Sequence, residues 1–288
     1  MPMDFDWVDA FTAVPFGGNG CAVVYDEGGL DPETCMTFVR ETGLVECTFI
    51  GPSDAADVKI RYFMNNMEIP FAGHPTLASV ASLADRGRAK PGLLRCETGA
   101  GVIPVEIETT ADGPRITMTQ VAPVFGDTMD PALVAAAGGL SADDIVGTPQ
   151  VVSTGLPFVI AVVKEKECLR RLSPDFDAMR MVRGTHDTLE PFWVSLGGET
   201  EAGDTFSRLV LAPPLPPEDP FTGSATGAMA SYLWHHGLID SPRFVAEQGH
   251  WMGRPGRADV EVLGPRDAIE GVRVGGRGHV LMRGYLNL

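Results

Sequence analysis

Long hydrophobic runs and positive charge are both scarce in this sequence. No segment reaches the roughly 18 uninterrupted apolar residues of a transmembrane helix, and residues 1–8 are too acidic and mixed for a secretory signal. Lysine and arginine number 22 against 38 acidic residues, which gives a formal net charge of -16. Such a charge repels nucleic acids and anionic membranes. We therefore expect a cytoplasmic protein that has neither of them as a partner.

Cysteine is also scarce, and its spacing contains no C-x-x-C pair. The five cysteines are Cys21, Cys35, Cys47, Cys96 and Cys168. An odd number without paired spacing indicates neither a zinc site nor a disulfide framework. Because free cysteine is among the most buried residue types, we expect five buried thiols and no bound metal.

The chain does contain enough apolar sequence for a core, and many turn residues. Its 288 residues suit one large domain or two of ordinary size. Hydrophobic residues make up 44% of the chain, which excludes disorder as its general state. The 34 glycines and 23 prolines favour a fold rich in turns and strands.

Two short segments, about 150 residues apart, share the same character. They are residues 70–76 (PFAGHPT) and residues 218–227 (EDPFTGSATG). Each places glycine and small hydroxyl residues just before an apolar, helix-forming run. A helix that begins in this way leaves backbone N–H groups available to an anion. We expect the two helix starts to hold one small anionic ligand.

A similar order of elements occurs twice along the chain. The first copy is a hairpin, a helix begun by Asp31 and Pro32, two strands, a glycine segment and a helix over 77–83. The second is a hairpin, a helix opened by Ser173, two strands, a glycine segment and a helix over 225–236 closed by Gly237. The predicted strands are 5–11, 21–25, 45–50, 58–63, 151–158, 159–163, 191–196 and 206–211. We interpret this order as an internal duplication with its boundary near 120–127.

Several motifs, taken in order, are similar to those of one protein family. They are residues 9–12 (DAFT), 16–19 (FGGN), 43–49 (GLVECTF), the stretch 61–76 from RYF to GHPT, 218–227, and 248–255 (QGHWMGRP). Together they resemble the phenazine-biosynthesis PhzF-like family, which shares the diaminopimelate epimerase fold. The resemblance covers nearly the whole chain. The two glycine segments are specific as a pair, whereas either alone would be weak.

The resemblance implies an α+β fold of two pseudo-symmetric halves, each a barrel-like mixed sheet around a central helix. The N-terminal half is then 1–122 and the C-terminal half 123–273, with a last strand at about 274–288 that returns to the first half. If the halves face each other, the ligand lies in the cleft between them. Members of the family are often homodimers and transfer protons on small acids without metal or cofactor, so we expect the same here.

Three residues match catalytic positions of the family. By strand patterning alone, Glu46 is one solvent-facing acid among 38 acidic residues; the resemblance makes it the general acid/base. Asp219 precedes a proline and is by itself a turn or capping residue, whereas the resemblance makes it a partner of the substrate's amino or hydroxyl group. His74 is either structural or a proton relay. Its place at a helix start lowers its pKa and favours the neutral imidazole.

The substrate carboxylate is expected at the two helix starts. Gly73 and His74 would hold it in the first half. Ser224, with the N–H groups of Gly223 and Ala225, would hold it in the second half, although Ser224 is also explained as a plain N-cap. Glu68 is expected to order the first turn.

Neither glycine segment contains a cysteine. Racemases and epimerases of this fold use a pair of thiols at these turns, whereas Ala72 occupies the first position and the second segment has only Thr222-Gly223-Ser224. We therefore favour a cofactor-independent isomerase in which Glu46 alone shuttles a proton within a small amino- or hydroxy-acid-like substrate. The alternatives are an amino-acid epimerase or racemase of the same fold, and a non-catalytic protein that binds small acids.

Overall fold

The computed structural model describes residues 2–186, 188–213 and 215–288. The chain folds into two compact units. Unit 1 comprises the chain up to Met118 together with Gly275–Leu288, and unit 2 comprises Thr119–Val274. Strands outnumber helices among the described residues, and both types alternate along the chain, which confirms the α+β class. None of the described helices is long and apolar enough to cross a membrane.

Unit 1 is a mixed sheet built around one long helix. Its first strands are β1 (Met3–Ala10), β2 (Asn19–Tyr25), β3 (Cys47–Gly51), β4 (Val58–Phe63), β5 (Glu68–Ile69), β6 (Gly92–Thr98), β7 (Gly101–Thr110) and β8 (Gly113–Gln120), and its helices are α1 (Pro32–Thr42) and α2 (Gly73–Asp85). Strand β2 pairs in parallel with β3, β3 antiparallel with β4, and β4 in parallel with β6.

Helix α2 is the centre of unit 1. Every residue from Gly73 to Leu83 is buried, and the helix packs against β1, β2 and β3. A helix that is apolar on all sides must be enclosed in this way. Its buried hydroxyl groups find partners on the surrounding strands: Ser79 lies 2.8 Å from the hydroxyl of Thr48, and Thr76 lies 2.7 Å from that of Tyr62.

Unit 2 repeats this design. Its strands are β9 (Val124–Thr128), β10 (Ile145–Ser153), β11 (Pro157–Val163), β12 (Pro191–Leu196), β13 (Thr205–Val210), β14 (Glu218–Asp219), β15 (Arg243–Gln248), β16 (Gly256–Leu263) and β17 (Gly271–Gly276), and its helices are α3 (Pro131–Ala137), α4 (Lys166–Arg170), α5 (Phe176–His186) and α6 (Gly223–His235). Helix α6 is buried along almost its whole length and packs against β10, β11 and β16. The pairing order of unit 1 recurs, because β11 is parallel to β12, β12 antiparallel to β13, and β13 parallel to β15.

The chain returns to unit 1 at its end. The last strand, β18 (Gly278–Leu286), pairs antiparallel with β1 from Met3↔Leu286 to Ala10↔Gly278. Strand β1 is therefore flanked by β18 on one side and by β2 on the other.

The duplication extends to individual side chains. Residues 68–76 (EIPFAGHPT) and 218–226 (EDPFTGSAT) match at five of nine positions and lie 150 positions apart. In unit 1 the Nε and one terminal nitrogen of Arg61 donate to the two carboxylate oxygens of Glu68, at 2.9 and 3.0 Å. In unit 2 Arg208 donates in the same bidentate manner to Glu218, at 2.9 and 2.6 Å. Glu68 thus anchors the turn before α2, as expected.

Several local predictions from the sequence are confirmed. The side chain of Asp31 accepts from the N–H of Thr34 and Pro32 is the first residue of α1. Gly237 follows α6 in the left-handed conformation, at φ 70°. All five cysteines are free and buried. The strand predicted over 58–63 has those same bounds.

Other bounds differ from the prediction for identifiable reasons. Helices α2 and α6 begin at Gly73 and Gly223, so both glycine segments form the first helical turn rather than a loop before it. Helix α5 is capped by Asp175, which accepts the N–H groups at positions 177 and 178, and not by Ser173. The second predicted hairpin turns at 154–156 instead of after 158, because Ser153 pairs with Pro157.

Candidate active site

The start of α2 leaves backbone N–H groups without partners in the helix. Its N-cap residue is Ala72, and no side chain among the described residues caps this end. The first intrahelical bond runs from the N–H of Thr76 to the carbonyl of Ala72, and Pro75 has no N–H to donate. The N–H groups of Gly73 and His74 therefore have no intrahelical partner and point out of the positive end of the helix.

Glu46 and His74 lie side by side at this helix start. Glu46 immediately precedes β3 instead of starting it, and its Oε2 is 3.6 Å from Nδ1 of His74. The two side chains are only 16% and 7% exposed. The two groups are close neighbours at 3.6 Å, a separation slightly longer than that of a normal hydrogen bond.

The imidazole of His74 is neutral. Burial lowers its pKa from 6.5 to about 3, because the charged form loses its hydration. The predicted direction agrees with this, and burial is the cause that the structure identifies. The Nε2 atom is buried and has no hydrogen-bond partner among the described residues. Buried polar atoms are nearly always paired, so this unpaired nitrogen beside the uncapped helix start marks the place as a candidate site.

The thiols near this site are not acid/base groups. Cys47 follows Glu46 in the chain, and burial raises the pKa of its thiol to about 12. Burial likewise raises the pKa of Cys21 well above its usual value. Both therefore stay protonated at neutral pH. Of the predicted site residues in unit 1, the structure brings together Glu46, Gly73 and His74.

Unit 2 places Asp219 at the corresponding helix start. Asp219 ends β14 and is buried. The hydroxyl of Thr222 donates to its Oδ2 at 2.5 Å. The amide of Gln248 donates to the backbone carbonyl of Asp219 at 2.8 Å and accepts the N–H of Thr222 at 3.1 Å. This network fixes both the carboxylate and the chain that carries it.

Ser224 is the second residue of α6. The N-cap position belongs to Thr222, and its side chain makes no capping bond, so the explanation of Ser224 as a plain N-cap is wrong. Ser224 is partly exposed, while Gly223 and Ala225 on either side are buried. The N–H groups of these three residues form the first turn of α6, where they lack intrahelical acceptors.

Two functional neighbours were missed from the sequence. Thr222 stands three residues after Asp219, a spacing that brings a hydroxyl back to a carboxylate at a helix start. Gln248 belongs to the recognised QGHWMGRP motif, but its partners lie 26 and 29 residues away. Within the described ranges, no cluster of three His, Cys, Asp or Glu side chains is arranged to hold a metal ion.

The comparisons with known proteins agree with this description. A family model described as phenazine biosynthesis-like protein matches residues 8–284. The uncharacterized isomerase YddE of Escherichia coli O157:H7 is 34% identical over 291 residues, covering 95% of each chain. The trans-2,3-dihydro-3-hydroxyanthranilate isomerase of Pseudomonas fluorescens is 30% identical over 286 residues, covering 98% of each. A PhzF-family protein from Bacillus anthracis has a solved structure with TM-score 0.90, 25% identity and full coverage of both chains. This chain belongs to the phenazine biosynthesis-like (PhzF) family.

Proposed function

We propose that this protein is a cofactor-independent isomerase in which Glu46 moves a proton within a small carboxylic acid. The observation that carries the proposal is the Glu46–His74 pair at the uncapped start of α2, with an unpartnered imidazole nitrogen beside it. A buried carboxyl group next to a neutral imidazole can accept a proton and return it. The names of the relatives give the same class of reaction, since several are isomerases.

The proposed reaction begins with binding of the substrate carboxylate by helix N–H groups. In unit 1 we assign this role to Gly73 with His74, because the chain's net charge of -16 makes local dipoles necessary for an anion. In unit 2 the corresponding N–H groups are those of Gly223, Ser224 and Ala225, which we propose as the carboxylate-binding groups of that unit. Asp219, held by Thr222 and Gln248, binds the amino or hydroxyl group of the substrate.

Proton transfer then follows without any external reactant. Glu46 removes a proton from carbon, the C–H electron pair enters the conjugated system, and the double bond shifts. The N–H groups at the helix starts stabilise the negative charge that develops. The carboxyl proton of Glu46, a side chain that is 16% exposed, exchanges with solvent before Glu46 protonates another carbon of the same substrate, and His74 keeps its neutral form beside it.

The counterpart of Glu46 in unit 2 argues for a single base. Helices α1 and α5 both contain 11 residues, and Glu46 and Glu190 each immediately precede the next strand. Glu190, however, is 4% exposed and accepts from Arg183 at 2.9 Å. The position of His74 is taken by Ser224. Because a carboxylate that is ion-paired and almost fully buried suits a structural role, we propose that one unit supplies the acid/base group.

Cellular location and assembly are further parts of the proposal. We propose that the protein acts in the cytoplasm as a homodimer. Gel filtration with light scattering distinguishes a dimer of this 30.7 kDa chain from a monomer.

The proposal is tested with trans-2,3-dihydro-3-hydroxyanthranilate, the compound named for the Pseudomonas relative, in deuterated water. We expect an isomerised product that carries solvent deuterium on carbon. A panel of L- and D-amino acids, including proline, is followed by optical rotation in parallel. Loss of optical rotation would favour the epimerase alternative. Saturable binding of the acids without any hydrogen exchange would favour a non-catalytic binding protein.

A further inference from the structure

Unit 1 contains an open cavity of about 650 Å³ that the proposed reaction does not use. Its lining includes neither Glu46 nor His74. Apolar side chains, among them Ile60 and Ile69, form part of the wall, and the loop 26–29 forms one side. This volume is within the range of small-molecule sites.

The sheet of unit 2 has a region that corresponds to the cavity of unit 1. In unit 1 Arg61 pairs across the strands with Phe49, and Lys59 lies beside Glu97. In unit 2 the same registers pair Arg208 with Trp193 and place Phe206 beside Glu247. The two glutamates are held alike, since Ser53 donates to Glu97 and Thr200 to Glu247.

The counterpart in unit 2 is filled by a tryptophan. Residues 249–255 connect β15 to β16 and include a 3-10 turn, His250–Met252. This turn lays the ring of Trp251 4.6 Å from the ring of Phe206 and 4.2 Å from the guanidinium carbon of Arg170. The guanidinium carbon of Arg208 is 5.8 Å from the same ring.

Unit 1 has a much shorter connection at this point. Only Gly99 and Ala100 link β6 to β7. The first residue of each connection is pressed against the turn before the central helix, because a Cβ on Gly99 would meet Pro70 and one on Gly249 would meet Pro220. The two connections therefore start from equivalent points. Unit 1 lacks the segment that carries Trp251 in unit 2.

We propose that the cavity of unit 1 is a binding site for an aromatic ring of about indole size that bears an ammonium group. The ring size comes from Trp251, which occupies the equivalent position on the same scaffold. The charge preference comes from the lining, which contains four acidic residues, Asp26, Glu27, Glu68 and Glu97, and two basic ones, Lys59 and Arg61. Glu68 is ion-paired with Arg61 and Glu97 with Lys59, so the carboxyl groups of Asp26 and Glu27 are in excess.

The loop that forms one side of the cavity contributes both space and charge. Asp26 is buried, and its two oxygens accept the N–H groups of Gly29 and Leu30 at 2.8 and 2.7 Å. Its carboxylate is thus fixed in the wall. A Cβ on Gly28 or Gly29 would meet no heavy atom within 4 Å, so the glycines leave room where unit 2 has the helix that carries Arg170. This inference does not depend on the proposed isomerase activity.

The experiment is a titration of the full chain with tryptamine, in which binding is measured by calorimetry or ligand-observed NMR. We expect one saturable site with a dissociation constant on the order of 1 mM, as suits a ligand of this size in a partly open cavity. Indole-3-acetate, which has the same ring with a negative charge, should bind at least about tenfold more weakly. Equal binding of the two, or no saturable binding of tryptamine, would overturn the proposal.

A pair of glycine variants locates the site. Gly28→Phe places a ring in the cavity mouth, where the backbone tolerates a side chain, and should abolish tryptamine binding. Gly184→Phe is the matched control, because this glycine lies in α5 with open space around it and outside the cavity. Unchanged binding to Gly28→Phe, or equal loss in both variants, would show that the ligand binds elsewhere.

A third variant tests the comparison with unit 2. Trp251→Ala removes the ring and should create a second site of similar shape, so that neutral indole binds with a stoichiometry of two instead of one. Denaturation by urea verifies that the variant is folded. A stoichiometry that stays at one in the folded variant would show that the ring of Trp251 does not define the ligand's shape.

Discussion

The neutral, buried imidazole of His74 should make the stability of this protein depend on pH. Burial lowers the pKa of His74 from 6.5 to about 3 in the folded chain. The unfolded chain therefore binds this proton first, and the unfolding free energy falls as the pH drops through the window from 6.5 to 3. Each pH unit within the window lowers it by roughly 1.4 kcal/mol, so the loss at pH 4.5 is on the order of 3 kcal/mol.

The assay is urea denaturation of the wild type and of His74→Asn at pH 7.5 and pH 4.5. The variant cannot titrate in this range, and the comparison cancels the contribution of the other acidic groups. We expect the variant to gain on the order of 3 kcal/mol relative to the wild type on going to pH 4.5. A difference that stays constant between the two pH values would show that His74 is not held neutral. A wild type that gains stability relative to the variant in acid would mean that Glu46 holds the imidazolium as an ion pair.

Three further substitutions have defined outcomes. Arg86→Met should lower the unfolding free energy at pH 7, measured in urea, by up to about 3–5 kcal/mol. Asp6 is 0% exposed and loses the guanidinium that donates to both of its oxygens, while Arg283 remains at 3.6 Å. A loss below about 1 kcal/mol would contradict this. Thr222→Val should reduce kcat at least about tenfold, because the hydroxyl of Thr222 orients Asp219. Thr222→Ser keeps a hydroxyl and should retain most of the wild-type kcat. Equal rates in both variants would refute that role. Gly227→Ala should lower the unfolding free energy by about 1–3 kcal/mol and so lower the melting temperature, because the added methyl would overlap the buried amide of Gln120. An unchanged melting temperature would exclude this close contact between Gly227 and Gln120.

Local sequence signals predicted the elements whose causes are local. Asp31 and Pro32 begin α1 because the capping carboxylate and the fixed φ of proline act within one turn. Gly237 ends α6 for a similar reason, since glycine adopts a left-handed conformation without steric cost. Ser173 was wrong as a cap because Asp175, two residues later, provides a carboxylate for the same purpose. Competing cappers this close together are not separated by sequence alone.

The candidate site was predictable only in part, because its contacts join distant segments. Family motifs pointed to Glu46 and His74, but their 3.6 Å separation depends on the packing of β3 against α2. The link from Gln248 to the start of α6 depends on β15 lying beside β13. No pattern of neighbouring residues encodes such distances.

The difference between the open cavity of unit 1 and the corresponding region of unit 2, which Trp251 fills, could not be predicted from the sequence. Trp251 belongs to a motif that was recognised in the sequence. That its ring occupies the place of the unit 1 cavity is seen only from the strand registers that relate unit 1 to unit 2. The sequence does contain one relevant difference, since the connection has two residues in unit 1 (99–100) and seven in unit 2 (249–255). This difference can be interpreted only when the strands on both sides of each connection are known.

The most direct test of the central claim is deuterium incorporation by a pair of glutamine variants. Glu46→Gln and Glu190→Gln change the two carboxyl groups that occupy equivalent places in unit 1 and unit 2, and circular dichroism verifies that both are folded. Each is incubated with substrate in deuterated water, and deuterium on carbon is measured by mass spectrometry. We predict that Glu46→Gln lowers the rate of incorporation by about 10²–10⁴-fold, as loss of a general acid/base does, while Glu190→Gln incorporates deuterium at close to the wild-type rate. Wild-type incorporation by a folded Glu46→Gln variant would contradict the assignment of the proton transfer to Glu46.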